Sequence, residues 1–115
     1  MYTIYGITSC DAVRKARKHL EASTHEFSFH DVKKTTIDAD ILKTWFTNHA
    51  VDLVVNTKSQ TWKKLGLTLD DLQDHEHAVT LLHNNPSLMK RPLLVKGNHI
   101  LSFGYKQETF DEALS

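Results

Sequence analysis

The sequence predicts an α/β fold in which a β-α-β segment and a β-β-α segment flank a helical insert. Three observations predict it. An apolar strand at 2–7 hands over to an amphipathic helix that starts at Asp11, and Phe27 and Phe29 alternate with Ser28 and His30 in a second strand at 26–32. Toward the other end, two apolar runs lie on either side of Gly97-Asn98, the pattern of an antiparallel hairpin. With 115 residues the chain can bury one core, taking roughly 65% of its unfolded surface out of water, and is too short for two ordinary domains. A single domain over 1–115 is expected, its core drawn from about 1–32 and 88–115 and its helical insert from about 33–87.

Each element has its own signal. Tyr2, Ile4, Tyr5 and Ile7 mix aromatic and β-branched side chains without strict alternation, as in a strand covered on both faces. Ala12, Val13, Ala16 and Leu20 then recur at helical spacing, with Arg14, Lys15, Arg17 and Lys18 between them. Strand, helix and strand within about 30 residues make a parallel unit with a right-handed crossover. In the insert, residues 36–40 open a helix that carries Ile41, Leu42, Trp45 and Phe46 and ends near Asn48. A short apolar piece at 51–55 precedes a polar loop or frayed turn at 56–60. Residues 68–71, Thr-Leu-Asp-Asp, resemble a capping sequence, and a further helix covers 76–84. After Asn84-Asn85-Pro86, the runs 92–96 and 99–103 form the hairpin and 107–114 the closing helix. This order is that of a thioredoxin-like fold with an inserted helical lobe, and Arg91-Pro92 falls just before the third strand, where that fold places a cis-proline facing the active site.

Composition narrows the function classes. Hydrophobic residues at 40% and charged residues at 24% place the chain among soluble globular proteins. Lys plus Arg and Asp plus Glu number 14 each, which removes any global electrostatic ground for binding nucleic acid or an anionic membrane. Neither a signal peptide pattern nor an apolar run of about 20 residues is present, so a cytoplasmic, monomeric protein is expected. Eight histidines raise the question of a metal, but His75 and His77 are two apart and His83 lies six beyond, not the three or four of a helical zinc pair. No metal site is expected, and Trp45, Phe46 and Trp62 read as packing residues.

The chemistry concentrates on Cys10, the single cysteine, which excludes an intramolecular disulfide and a cysteine-rich zinc site. A lone cysteine usually packs as a small hydrophobe. This one stands between strand and helix, where unpaired backbone N–H groups and the positive end of the helix dipole favour a thiolate. Arg14 and Lys15 act in the same direction and the neighbouring Asp11 against it. The basic run 14–18 otherwise reads as a solvated helix face, and Asn56, Lys58, Lys63 and Lys64 either edge a cleft or face water.

Four segments together resemble the ArsC family, which holds glutaredoxin-coupled arsenate reductases, the Spx transcription regulators and the YffB group of glutathione-dependent thiol reductases. They are TIYGITSCDAVRKAR at 3–17, NTKSQTWKKL at 56–65, NPSLMKRP at 85–92 and FGY at 103–105. The resemblance implies that Cys10 is the nucleophile, Arg14 the basic residue one turn into the helix, and Arg91 the arginine that binds an oxyanion or a glutathione carboxylate. Ser9, Asp11, Lys15, Asn56, Lys58, Pro92 and Gly104 are implied to line the substrate position. Pro92, if cis, would expose a backbone edge for a peptide-like ligand.

The departures from the family pattern select among its members. Arsenate reductases carry a His four residues before the cysteine, where this chain has Gly6, and a Ser three residues after it, where this chain has Val13. Two further oxyanion-binding arginines are replaced, near Asn56 and near Gly104, and neither residue supplies a guanidinium fork. The redox switch of Spx, Cys-x-x-Cys, is excluded by Val13. The resemblance to the YffB group therefore implies a thiol-dependent reductase, with no bound cofactor, glutathione as co-substrate and a mixed disulfide on Cys10. The alternatives it leaves open are a weak arsenate reductase served by glutaredoxin and a regulator that docks on RNA polymerase without a redox switch.

Overall fold

A computed structural model describes residues 1–115. In chain order the elements are β1 (Tyr2–Gly6), α1 (Asp11–Glu21), β2 (Phe27–Asp31), α2 (Ala39–Asn48), α3 (Val51–Val54), α4 (Gln60–Lys64), α5 (His75–Asn84), β3 (Leu93–Lys96), β4 (His99–Phe103) and α6 (Gln107–Leu114). Short 3-10 turns stand at Leu69–Leu72 and Pro86–Leu88. The fold is thioredoxin-like, and the chain divides into two compact units, Met1–Thr35 with Arg91–Ser115, and Thr36–Lys90.

The first unit holds a four-stranded sheet in the order β2-β1-β3-β4. β1 and β2 run parallel, with Tyr2 opposite Phe27, as the crossover through α1 requires. β1 and β3 are antiparallel, with Ile4 opposite Leu94 and Tyr5 opposite Leu93. β3 and β4 form the hairpin, irregular between Leu94 and Val95, and its turn uses Gly97 at φ +63°, which a side chain would disfavour. Val13, Ala16 and Leu20 fall on one face of α1 and are fully buried. Tyr2, Ile4, Ala16, Leu20, Leu94 and Phe110 make one apolar cluster, joining sheet, α1 and α6. That burial is the main force fixing where α1 starts relative to the sheet.

The second unit is helical. Asp38 caps α2 by accepting the Asp40 N–H at 3.0 Å, and Trp45 and Phe46 on its inner face are buried. The apolar piece at 51–55 forms the single turn α3, after which Val55 bridges Met89 in antiparallel fashion. The polar stretch 56–59 is a turn, as its composition indicates, and Ser59 closes it by accepting the Trp62 N–H at 3.1 Å, which starts the short helix α4 at Gln60. The capping sequence at Thr68 is present, with Thr68 and Asp71 satisfying each other's backbone N–H groups around the 3-10 turn. Asp74 caps α5, which starts at His75, one residue earlier than its apolar periodicity indicates. No helix of the protein is long and apolar enough to cross a membrane.

Candidate active site

Cys10 is the N-cap residue of α1, held extended at φ −92° and ψ 126°. Its N–H closes a turn onto the Ile7 carbonyl at 3.4 Å, and its own carbonyl accepts the Arg14 N–H at 3.0 Å, the first bond of the helix. The thiol is free and partly exposed, and Thr8 and Ser9 before it are exposed. No side-chain capping bond is made, so the sulfur takes no N–H from the first helical turn. What it receives is the field of the positive end of an 11-residue helix.

Around the sulfur's end of α1, Asp11 and Arg14 form an ion pair with each other, both largely exposed. The Arg14 guanidinium, on the first turns of α1, engages the Asp11 carboxylate one turn back. An exposed pair of this kind adds little to stability. Lys15 is exposed and takes no part in the Arg14–Asp11 pair.

Arg91 and Pro92 reach the same end of the sheet by register. Tyr5 stands opposite Leu93, so one step further Gly6 comes level with Pro92, and both strands end beside the turn that carries Cys10. The Arg91–Pro92 bond is cis. The Pro92 carbonyl accepts the Gly104 N–H at 2.8 Å, and Ser102, the one buried polar residue, donates its Oγ to the Gly104 carbonyl at 2.8 Å. Gly104 sits at φ +94°, a backbone that only glycine adopts readily. Gly104 thus holds Pro92 in place through its backbone, a role its lack of a side chain conceals in the sequence, and Ser102 gives no separate sequence signal. Arg91 is half-buried and forms no ion pair, which leaves its planar fork of donors for an anionic group.

Ser9, Cys10, Asp11, Arg14, Lys15, Arg91, Pro92 and Gly104 all belong to the first unit. Asn56 and Lys58 belong to the second. There Asn56 donates its N–H to the Leu88 carbonyl at 2.7 Å, and its Oδ1 accepts the Lys58 N–H at 3.0 Å. The Asn56 side chain is thus a local turn-former.

The likeness to known proteins extends over nearly the whole chain. An uncharacterized protein of Haemophilus influenzae is 34% identical over 108 residues, 93% of this chain and 95% of the other. The global transcriptional regulator Spx of Streptococcus mutans is 28% identical over 110 residues, 94% of this chain and 79% of the regulator. Among solved structures, the YffB protein superposes with a TM-score of 0.85 at 32% identity, covering 100% of both chains. A possible arsenate reductase from Streptococcus mutans superposes with a TM-score of 0.84 at 32% identity, covering 96% of this chain and 98% of that one. The family model for the ArsC family matches residues 5–113, and the chain belongs to the ArsC family.

Proposed function

We propose that the protein is a monothiol reductase whose nucleophile is Cys10. The observation that carries this reading is the position of the free, partly exposed Cys10 at the N-cap of α1, on the turn beside Arg91-Pro92. The Cys10 thiolate attacks one sulfur of a substrate disulfide. That S–S bond breaks, a mixed disulfide forms on Cys10, and the departing thiolate takes a proton from water. A second thiol, glutathione, then attacks the mixed disulfide and releases Cys10 as the thiolate. The two electrons come from the thiols, and a single cysteine permits this monothiol cycle alone. Arg91 contributes donors for a carboxylate of glutathione, and the ladder edge beside Pro92 takes the peptide part of the ligand.

The test is reduction of a small disulfide such as hydroxyethyl disulfide by glutathione, followed through NADPH consumption by added glutathione reductase. Turnover that Cys10→Ser abolishes is expected. Turnover equal to the uncatalysed rate in the unmodified protein would overturn the reading.

A second reading is favoured by the likeness to Spx over 94% of the chain: a regulator that docks on RNA polymerase. Copurification with RNA polymerase that survives Cys10→Ser, in a protein without thiol turnover, would select it. Arsenate reduction has less support, since Gly6, Asn56 and Gly104 offer no side-chain cation to a tetrahedral oxyanion.

A further inference from the structure

A short chain of hydrogen bonds links the edge beside Cys10 to one buried hydroxyl in the first unit. Ser102 lies in β4 opposite Leu94 and is 4% exposed. Leu94 belongs to the apolar cluster with Ile4 and Phe110. A hydroxyl in such surroundings costs stability unless it is bonded, a cost that an alanine would not carry. The bond that Ser102 makes is the one to the Gly104 carbonyl at 2.8 Å.

Gly104 has no side chain with which to fix itself. A Cβ built on it would meet nothing within 4 Å, so glycine serves there for its backbone conformation at φ +94° and not for space. Two bonds define its peptide groups: its carbonyl accepts from Ser102, and its N–H donates to the Pro92 carbonyl at 2.8 Å. The Pro92 carbonyl is therefore engaged within the first unit. The preceding residue, Arg91, makes no backbone hydrogen bond, so its N–H and carbonyl are the part of this edge left for an extended peptide.

We infer that Ser102 is a positioning residue for a peptide-bearing disulfide substrate. Acting through Gly104 and Pro92, its hydroxyl holds the Arg91 backbone where the peptide groups of glutathione pair with it beside Cys10. The inference rests on the thiol-reductase reading of Cys10 and adds a residue that distinguishes a glutathione disulfide from one without peptide groups. A disulfide of the second kind has nothing to pair with that edge, so its reaction with Cys10 does not draw on Ser102.

The experiment compares wild type, Ser102→Ala and Ser102→Thr. Single-turnover rates of mixed-disulfide formation are measured by intact mass with oxidised glutathione and with hydroxyethyl disulfide, and amide hydrogen exchange is followed by NMR. In Ser102→Ala the preference for oxidised glutathione over hydroxyethyl disulfide should fall about tenfold, the weight of one hydrogen bond. Ser102→Thr keeps the hydroxyl and should retain most of the preference. The Gly104 amide should exchange at least about tenfold faster in Ser102→Ala, with the amides of β1 and β2 unchanged, whereas a general loss of stability would speed all of them. An unchanged preference, an unchanged Gly104 exchange, or acceleration throughout the sheet would overturn the inference alone. A wild type that forms no mixed disulfide with either compound would overturn the reductase reading and this inference with it.

Discussion

A Cβ built on Gly6 would stand 2.6 Å from Val13 Cγ2 and 3.0 Å from Val13 Cγ1. The end of β1 and the first turn of α1 therefore touch directly across the turn that carries Cys10. Val13 occupies the space that any side chain at position 6 would need, including the histidine that arsenate reductases carry there. Positions 6 and 13 are one steric unit, and together they set how closely α1 approaches the sheet.

Gly6→Ala is expected to cost about 1–3 kcal/mol, because the displaced Val13 methyls are fully buried. Val13→Ala alone opens a cavity, yet it should relieve the clash when combined with Gly6→Ala. Urea unfolding of both single variants and the double variant checks this, and a double variant more stable than the sum of the singles by about 0.5 kcal/mol or more is expected. Strict additivity would mean that the contact has no energetic weight.

Phe110→Ala should be among the most destabilising substitutions in the first unit. Phe110 is fully buried, packs edge-on to Tyr105 at 4.9 Å between centroids, and closes the cluster that joins α1 to the sheet. A loss of about 3–5 kcal/mol is expected from the cavity it leaves. Equilibrium denaturation measures it.

Much of this architecture is legible in the sequence, and what is not has a physical reason. The parallel β1-α1-β2 unit follows from Val13, Ala16 and Leu20 at helical spacing between two strand-like runs, and the hairpin follows from Gly97-Asn98. The helix α4 is missed because five residues are too few to show a 3.6-residue period, and only its Ser59 cap marks it. The location of Cys10 is legible as a strand-to-helix junction. The pairing of Arg14 with Asp11 is not distinguishable in advance from an Arg14 turned to the sulfur, because both lie within reach of one long side chain. The contact of Gly6 with Val13 depends on how closely two elements approach, which no local pattern encodes.

Arg91→Ala should slow mixed-disulfide formation with oxidised glutathione about tenfold, with Arg91→Lys in between, since lysine keeps the charge and loses the fork. Stability should change by less than about 1 kcal/mol, because Arg91 is half-buried and holds no ion pair. Stopped alkylation with mass detection gives the rate, and thermal unfolding the stability. Equal rates in all three proteins would remove Arg91 from the site.

Alkaline pH should destabilise the fold partly through Tyr5. Burial raises its ionisation above the ordinary value of 10.0, because the phenolate is denied water. Below that value both folded and unfolded chains keep the proton. Above it the unfolded chain releases the proton first, so stability falls with pH until the folded group ionises too, at no more than about 1.4 kcal/mol per pH unit for this one residue. Denaturant unfolding of wild type and Tyr5→Phe between pH 9 and 12 checks it, and a shallower decline in the variant is expected.

The most direct measurement is the intact mass of the protein after exposure to excess oxidised glutathione, with the free thiol confirmed beforehand by titration. One glutathione per chain is expected, located on Cys10 by peptide mapping, removed by reduced glutathione and absent from Cys10→Ser. An unmodified mass with a demonstrably free thiol would contradict a reductase centred on Cys10.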